Sequence, residues 1–257
     1  MAILTFHHTD SRRHFGLNNY HPKRLRKVLK DLLEAGFQFF TLDKYLSLPA
    51  NRKKVCLTFD DGYESFHEHA FPILRELNLT GVVFIPARYI GKRADWDYTG
   101  NILKTMHLNE AQIAEIAEFG IEIGSHGNSH IDLTALSERG LRVELEHSKR
   151  RLEDLTGGEV KYISYPFGRF NRNVELWAAK SGYKNGFSLS YFRKSQYDFT
   201  VPRYAVYTTD TLFSTVAKIE GGPLGLVEKI KGATLNAYAA GTILLNRIRS
   251  RNINPQV

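Results

Sequence analysis

Residues Lys54 to Glu64 read Lys-Val-Cys-Leu-Thr-Phe-Asp-Asp-Gly-Tyr-Glu, and they hold the two carboxylates with the strongest claim to chemistry. Val55, Leu57 and Phe59 alternate with Cys56 and Thr58, all types that suit a buried strand. Asp60 and Asp61 then stand side by side before the chain-turning Gly62. Adjacent like charges repel and are costly to desolvate, so a cation is expected to face them: a metal ion, an arginine or a histidinium. A helix N-cap near Tyr63 would account for one aspartate and leave the second unexplained. His126 and His130 are four apart in Ser-His-Gly-Asn-Ser-His, a spacing that lets two imidazoles reach one ion but also arises by chance. Joined to Asp61 they make a two-histidine, one-carboxylate set with positions left for water and substrate. Non-haem iron oxygenases use the same set, but on all-β scaffolds with a short His-x-Asp/Glu pair, and neither feature is present here. A divalent ion lowers the pKa of water towards 7, and a carboxylate next to a ligand can then take the proton.

Other candidates carry less. His67 and His69 lie two apart on an expected helix and do not face each other. His147 belongs to a charged helix face, and His14, His21 and His107 sit in polar surroundings that predict solvation. The single cysteine, Cys56, excludes an intramolecular disulfide and reads as core rather than nucleophile.

The elements that must position these groups alternate. Strands are expected at Ala2–His7, Phe37–Thr41, around Val55–Phe59, and at Val82–Pro86, Ile121–Ser125, Tyr162–Tyr165, Asn185–Leu189 and Thr200–Val206. Helices are expected over Pro22–Leu33, Leu42–Leu48, Tyr63–Leu77, Asn109–Phe119, Ser137–Leu155, Val174–Ser181 and Leu212–Ile219. Ala87–Met106, with Trp96 and Tyr98, is irregular. Alternation of this kind argues for an α/β fold of parallel strands covered by helices, and no linker or repeat divides it. His7, Asp60, Asp61, His126 and Pro166 each fall just beyond a strand's C-terminal end, which a β/α barrel gathers on one face.

Three motifs in order resemble those of the polysaccharide deacetylases, the NodB-homology enzymes of carbohydrate esterase family 4. Thr58-Phe59-Asp60-Asp61-Gly62 resembles the first, Ser125 to His130 the second, and Tyr165-Pro166-Phe167-Gly168 the third. The resemblance spans about residues 2 to 220 and implies a distorted (β/α) barrel of about seven parallel strands, with a catalytic domain over 1–222. It also implies metal-dependent removal of N-acetyl groups from an amino-sugar glycan. Asp60 would be the general base on metal-bound water; Asp61, His126 and His130 would hold a divalent metal, Zn2+ before Co2+, Ni2+ or Fe2+. Tyr165, Pro166 and Phe167 would form the oxyanion and substrate side, with the Phe167 N–H holding the oxyanion. Two departures stand out. The arginine that often precedes the third motif is absent, with Ser164 in that region, so Arg203 is the candidate to hold the base, a surface or structural role being its alternative. The late histidine acid is absent too, since no histidine follows His147. One subgroup, the poly-N-acetylglucosamine deacetylases, is similar to a circular permutation with that motif first. Leu4-Thr5-Phe6-His7 then makes His7 the acid, oriented by Asp10 or Asp198, with His8 on the opposite side of the strand. The same catalytic set would serve an O-acetyl ester, a formamide or a small amide, and a glycan-binding pseudoenzyme would keep the fold without turnover.

Net charge is +8 with a pI near 9.4, which favours acidic partners. No nucleic-acid motif accompanies the charge, so a nucleic-acid partner is not expected. No export signal or spanning run is read at the N-terminus, so the expectation is a cytoplasmic protein whose substrate is a nucleotide- or lipid-linked sugar or a surface-polysaccharide precursor. Residues 223–257 form a basic amphipathic tail, from Leu224 to Arg251, able either to lie on anionic lipid at the inner membrane face or to close the barrel.

Overall fold

The structure is a computed structural model that describes residues 2–12, 17–49, 51–94, 105–189, 191–192, 195 and 198–238. Trp96, Tyr98, His14 and the tail beyond Tyr238 lie outside them. The strands are β1 (Ala2–Phe6), β2 (Gln38–Phe39), β3 (Lys54–Phe59), β4 (Val82–Ile85), β5 (Glu122–Ser125), β6 (Tyr162–Ser164), β7 (Asn185–Ser188), β8 (Thr200–Pro202) and β9 (Tyr204–Ala205). The α-helices are α1 (Pro22–Glu34), α2 (Leu42–Ser47), α3 (Phe71–Glu76), α4 (Glu110–Glu118), α5 (Glu138–Thr156), α6 (Arg172–Lys180), α7 (Leu212–Glu220) and α8 (Gly222–Tyr238).

Every strand pairing is parallel, in the order β8-β7-β6-β5-β4-β3-β1-β9, with the short β2 attached to the start of β3. The piece expected as one strand over 200–206 is two. Its first half pairs with β7 and its second with β1, the opposite edge of the sheet, and only Arg203 separates them. The ring of eight strands is thus nearly closed through Arg203, which is why the count exceeds the expected seven. Parallel strands in a ring bring their C-terminal ends to one rim.

Strand alternation fills the barrel in layers. Ile3, Cys56, Val82, Phe84, Tyr162 and Phe187 form an apolar floor. Above it Thr5 Oγ1 and Thr58 Oγ1 meet at 3.0 Å, and the buried Ser164 lies level with them. Two residues further along the same strand directions come His7, Asp60 and Arg203. The strand faces of opposite parity, Leu4, Phe6, Leu57, Phe59, Val83 and Ile85, pack against α1, α3 and α4 in the larger core. Gly124 is required here: a Cβ would stand 2.4 Å from the Phe84 ring that fills the barrel.

Some local expectations need correction. The helix expected from Tyr63 starts as a π-turn, Phe66–Ala70, before α3, because Pro72 cannot donate the regular backbone bond. Neither Asp60 nor Asp61 caps it, and the N-cap alternative falls. His21 is not simply solvated: its Nδ1 accepts from Lys23 N at the start of α1. His107 is buried and stacks on Tyr63, its centroid 5.1 Å away. The division expected after residue 222 falls at the first residue of α8, and α7 and α8 pack on each other. The tail's described part is α8, tied down by a buried carboxylate: Asp210 pairs with Lys218 of α7 and Lys231 of α8.

Candidate active site

At the rim of the barrel a cleft of about 130 Å³ is lined by His7, Asp60, Asp61, His126, His130 and Phe167, among others. It collects the expected base, acid and metal-ligand residues, with Arg203 beneath it.

Asp60 continues the inward face of β3 and is 3% exposed. Arg203, fully buried, grips it with both forks: Nη1 donates to Oδ1 at 2.8 Å and Nη2 to Oδ2 at 2.7 Å. The guanidinium also donates to Thr58 Oγ1 at 3.1 Å and Ser164 Oγ at 2.7 Å, and Ser164 Oγ donates on to Asp60 Oδ2 at 3.0 Å. Beneath it lie the Phe84 and Phe187 rings, 5.2 and 6.0 Å from the guanidinium carbon. Burial pushes the Asp60 carboxyl up, but the Arg203 charge and hydrogen bonds outweigh it, so the group lies below its ordinary value and is ionised. The arginine missing before the third motif is therefore replaced in space by one that arrives from the barrel seam. Its surface alternative is excluded.

Asp61 turns away from its neighbour. Its φ is 69° and that of Gly62 is 57°, so two successive left-handed residues carry the chain off the strand. A Cβ on Gly62 would come within 3.1 Å of Ile85. Asp61 Oδ1 consequently faces His126 Nε2 at 3.2 Å and His130 Nε2 at 3.1 Å. Ligand atoms of the three residues lie within 4.8 Å of one another, and all three are buried. The His126 Nδ1 lies 2.7 Å from the Ser164 carbonyl, which fixes Nδ1 as the donor and leaves Nε2 its lone pair. A lone pair facing a carboxylate oxygen demands a cation between them, either a proton or a metal. Burial lowers the His126 imidazole, while the Asp61 hydrogen bond and the charges of Asp60 and Asp61 raise it above its ordinary value. In His130 burial prevails and the imidazole is lowered. The Asp61 carboxyl is raised by burial and lowered further by both histidines, ending well below its ordinary value. Two imidazoles and an ionised carboxylate, with one imidazole kept neutral, fit a borderline divalent metal.

The loop carrying the histidines is held from below. Glu144 of α5, buried, accepts from Asn128 N at 2.9 Å and Ser129 N at 2.8 Å, and Ser125 Oγ accepts from Gly127 N at 3.1 Å. Glu144 was not singled out by the sequence; its signal is a carboxylate on the inward face of a helix.

The third motif splits in two. Phe167, at φ 59°, sets its ring edge-on to His130 at 4.8 Å and lines the cleft. Pro166 starts that turn and accepts from Arg169 N at 3.2 Å. The Tyr165 ring is fully buried, its hydroxyl 3.3 Å from Thr200 Oγ1, which donates to Glu175 at 2.7 Å. The Tyr165 side chain thus supports the turn from the core, while the residue also contributes to the cleft lining.

His7 is half-buried on the cleft wall. Among the described residues neither candidate orients it: Asp10 pairs with Arg12 at 2.7 Å, and Asp198 does not reach it. His8, on the other face of the strand, stacks on Tyr63 at 3.7 Å. Other parts of the wall were not read from the sequence, among them Asn18, Leu189, Ala205, Tyr207 and Asn236. Asn236 reaches the cleft from α8, accepting from the Tyr207 hydroxyl at 2.9 Å and donating to Leu189 O at 3.2 Å. No local pattern announces such a residue, since its position depends on how α8 docks.

With this geometry in hand, comparison with known proteins is direct. A sequence model of the polysaccharide deacetylases matches residues 47–186, more than half of the chain. YxkH of Bacillus subtilis, named for the same family, is 30% identical over 192 residues, which cover 72% of this chain and 63% of that protein. The chain therefore spans less than two thirds of that relative's length. Poly-beta-1,6-N-acetyl-D-glucosamine N-deacetylase of Staphylococcus aureus is 24% identical over 205 residues, covering 74% of this chain and 68% of that one. The Streptococcus pyogenes deacetylase PplD, solved in complex with acetate, superposes with a TM-score of 0.73 at 22% identity, covering 86% of this chain and 98% of that one. IcaB from Ammonifex degensii gives 0.71 at 22% identity, over 86% and 97% of the two chains. The fold is that of these deacetylases, and this chain belongs to the polysaccharide deacetylase family.

Proposed function

We propose that this protein is a metal-dependent hydrolase that removes N-acetyl groups from an amino-sugar glycan or its precursor. The observation that carries this reading is the division of the carboxylate pair: Asp60 is neutralised by Arg203, whereas Asp61 is left to two imidazoles. Asp61, His126 and His130 would hold a divalent ion, zinc first among them. When bound, it would supply Lewis acidity, easing deprotonation of water and polarising the acyl oxygen. Asp60 then takes the proton from the attacking water, its geometry fixed by the two forks of Arg203. The Phe167 N–H, at a turn whose next two amides bond to Tyr165 O and Pro166 O, steadies the oxyanion. His7, across the cleft, gives a proton to the departing amine.

Acetate release from N-acetylglucosamine oligomers, run beside metal analysis, tests the reading. The expected result is metal-dependent release that a chelator abolishes. A metal-loaded protein that releases acetate from O-acetyl sugars and none from N-acetyl sugars would overturn it.

We also infer a peripheral contact with anionic lipid. Leu224, Val227 and Ile230 expose half or more of their surface along one stripe of α8, and Phe213 at the start of α7 is 67% exposed. Among the described residues no helix is long and apolar enough to cross a membrane. Because α8 holds Asn236 in the cleft, the sensitive test is Val227→Glu with Ile230→Glu rather than a truncation. Sedimentation with phosphatidylglycerol vesicles should fall in this variant; unchanged binding would remove the contact.

A further inference from the structure

A second hollow, of about 480 Å³, lies on the other side of the loop that carries His126 and His130. The two hollows share that loop as a wall: the histidines line one, and Asn128 lines the other. Arg88 and Lys92, from the turn after β4, face Arg150 and Arg151 of α5 across it, with His147 beside them; Asp154 is the carboxylate in the lining. Ala87 and Ile90 contribute apolar surface to the same lining.

Several surface cations gather around this one hollow. Elsewhere some long basic side chains have carboxylate partners, as Arg26 with Glu76, Lys27 with Asp31, Arg142 with Glu146, Lys149 with Glu153 and Lys161 with Asp43, and others, such as Lys23, Lys44 and Arg52, stand singly without one among the described residues. Around the hollow Arg151 is paired with Glu110, but Arg88, Lys92 and Arg150 have no carboxylate partner among the described residues. Like charges gathered in this way repel, and Asp154 alone does not balance them. An anion bound from outside would relieve that repulsion. Guanidinium groups suit oxyanions through paired N–H donors, and the ammonium of Lys92 adds a point charge. Small apolar surface between them suits the C–H face of a sugar ring.

We propose that this hollow is a subsite for the phosphodiester groups of an anionic glycan, lying one loop away from the sugar that occupies the cleft. The glycan in this statement rests on the proposed function, whereas the anion rests on the hollow alone. A phosphate-linked chain laid along Arg88, Lys92 and Arg150 would cross the loop at Asn128 and present its neighbouring residue to the cleft. The subsite accounts for part of the +8 net charge without a nucleic-acid partner.

The test is isothermal titration of the full-length protein with poly(glycerol phosphate), comparing the wild type with two double variants of equal net charge. Arg88→Glu with Arg150→Glu reverses the hollow. Lys23→Glu with Arg52→Glu reverses the same charge elsewhere on the surface. Poly(glycerol phosphate) should bind the wild type and the surface control within about twofold of each other and lose about tenfold or more in the hollow variant, with the difference shrinking in high salt. Equal losses in both variants would reduce the effect to net charge and overturn the proposal, as would no binding to the wild type. Two further arms separate other sources of phosphate. Phosphatidylglycerol vesicles should bind both variants alike, and a UDP-sugar should bind the wild type more weakly than the polymer. Vesicle binding that tracks the hollow while the polymer does not would assign the surface to lipid and overturn the proposal. Acetate release from a short neutral substrate should be unchanged in the hollow variant. Failure of the wild type in that assay would count against the proposed function and leave the binding result standing.

Discussion

Arg203→Met offers the most exacting check on how the carboxylate pair is divided. The arginine is fully buried, donates four hydrogen bonds and closes the barrel seam between β8 and β9. Methionine fills a similar volume over the Phe84 and Phe187 rings, so the main loss is charge. Removing one partner of a buried pair leaves the other uncompensated and costs about 3–5 kcal/mol. That is a large part of the roughly 5–15 kcal/mol that holds a domain together. The double variant Arg203→Met with Asp60→Asn no longer buries a lone charge, and its cost should fall short of the summed single costs by about 2–3 kcal/mol. The sign of the pH dependence is also fixed. In the wild type Asp60 is held below its ordinary value, so its contribution is present above the unfolded pKa of about 3.9 and is lost as pH falls through the folded pKa. In Arg203→Met burial is no longer offset by the guanidinium, the folded carboxyl moves up, and stability is lost as pH rises above about 3.9. The gap between the two proteins should therefore widen between pH 4 and pH 7, and vanish from the comparison between the double variant and Asp60→Asn. Urea unfolding of chelator-treated protein at several pH values measures both effects. A single variant that costs less than about 1 kcal/mol at pH 7, or costs that simply add, would refute the claim that Arg203 exists to hold an ionised Asp60.

Three further outcomes follow from the same geometry. Asp61→Ala should abolish stoichiometric metal in atomic-emission analysis, whereas Asp60→Asn should retain the metal and lose turnover; equal metal loss in both would undo the assignment of separate roles. His7→Ala should keep the metal and lower kcat by about 10²–10⁴, the usual range for a positioned acid, and an unchanged kcat would move the acid elsewhere. Gly186→Ala should cost about 1–3 kcal/mol in urea unfolding, because its Cβ would stand 2.0 Å from the Tyr165 hydroxyl and displace the ring beneath the third motif. A neutral Gly186→Ala would show that the ring does not support the turn.

Much of the barrel was legible because strand period and turn residues are local signals. The three motifs mark strand ends, and parallel strands in a ring bring those ends together. What local reading missed are residues whose position depends on closure or docking. Arg203 could be named only as a substitute, because its place follows from the last extended segment splitting between two sheet edges. His107 and His21 have polar neighbours in sequence yet find a ring to stack on and a helix to cap, partners set by the folded chain. Glu144 and Asn236 lie on helices far from any motif, and only helix packing brings them to the histidine loop and the cleft. Tyr165 belongs to a motif and lines the cleft, and its hydroxyl is anchored at Thr200 in the core, a partner that only the folded chain supplies.

The layered interior explains why two adjacent aspartates can coexist at the rim. Along β3 the inward positions run Cys56, Thr58, Asp60, from the apolar floor to a hydroxyl and then to a charge. Along β1 they run Ile3, Thr5, His7, and along the seam Val201 leads to Arg203. Polarity therefore rises one step per pair of residues toward the open end; Arg203 bonds the hydroxyl of Thr58 below it and, within its own layer, Asp60. A carboxylate next in line after Asp60 would point outward, toward the apolar core that packs the helices, if the strand continued. The left-handed pair Asp61 and Gly62 prevents this by turning the chain at that residue, so Asp61 comes back over the cleft toward His126 and His130. The backbone turn thus separates the neighbours' surroundings, one carboxylate facing a fixed guanidinium and the other two imidazoles suited to an ion.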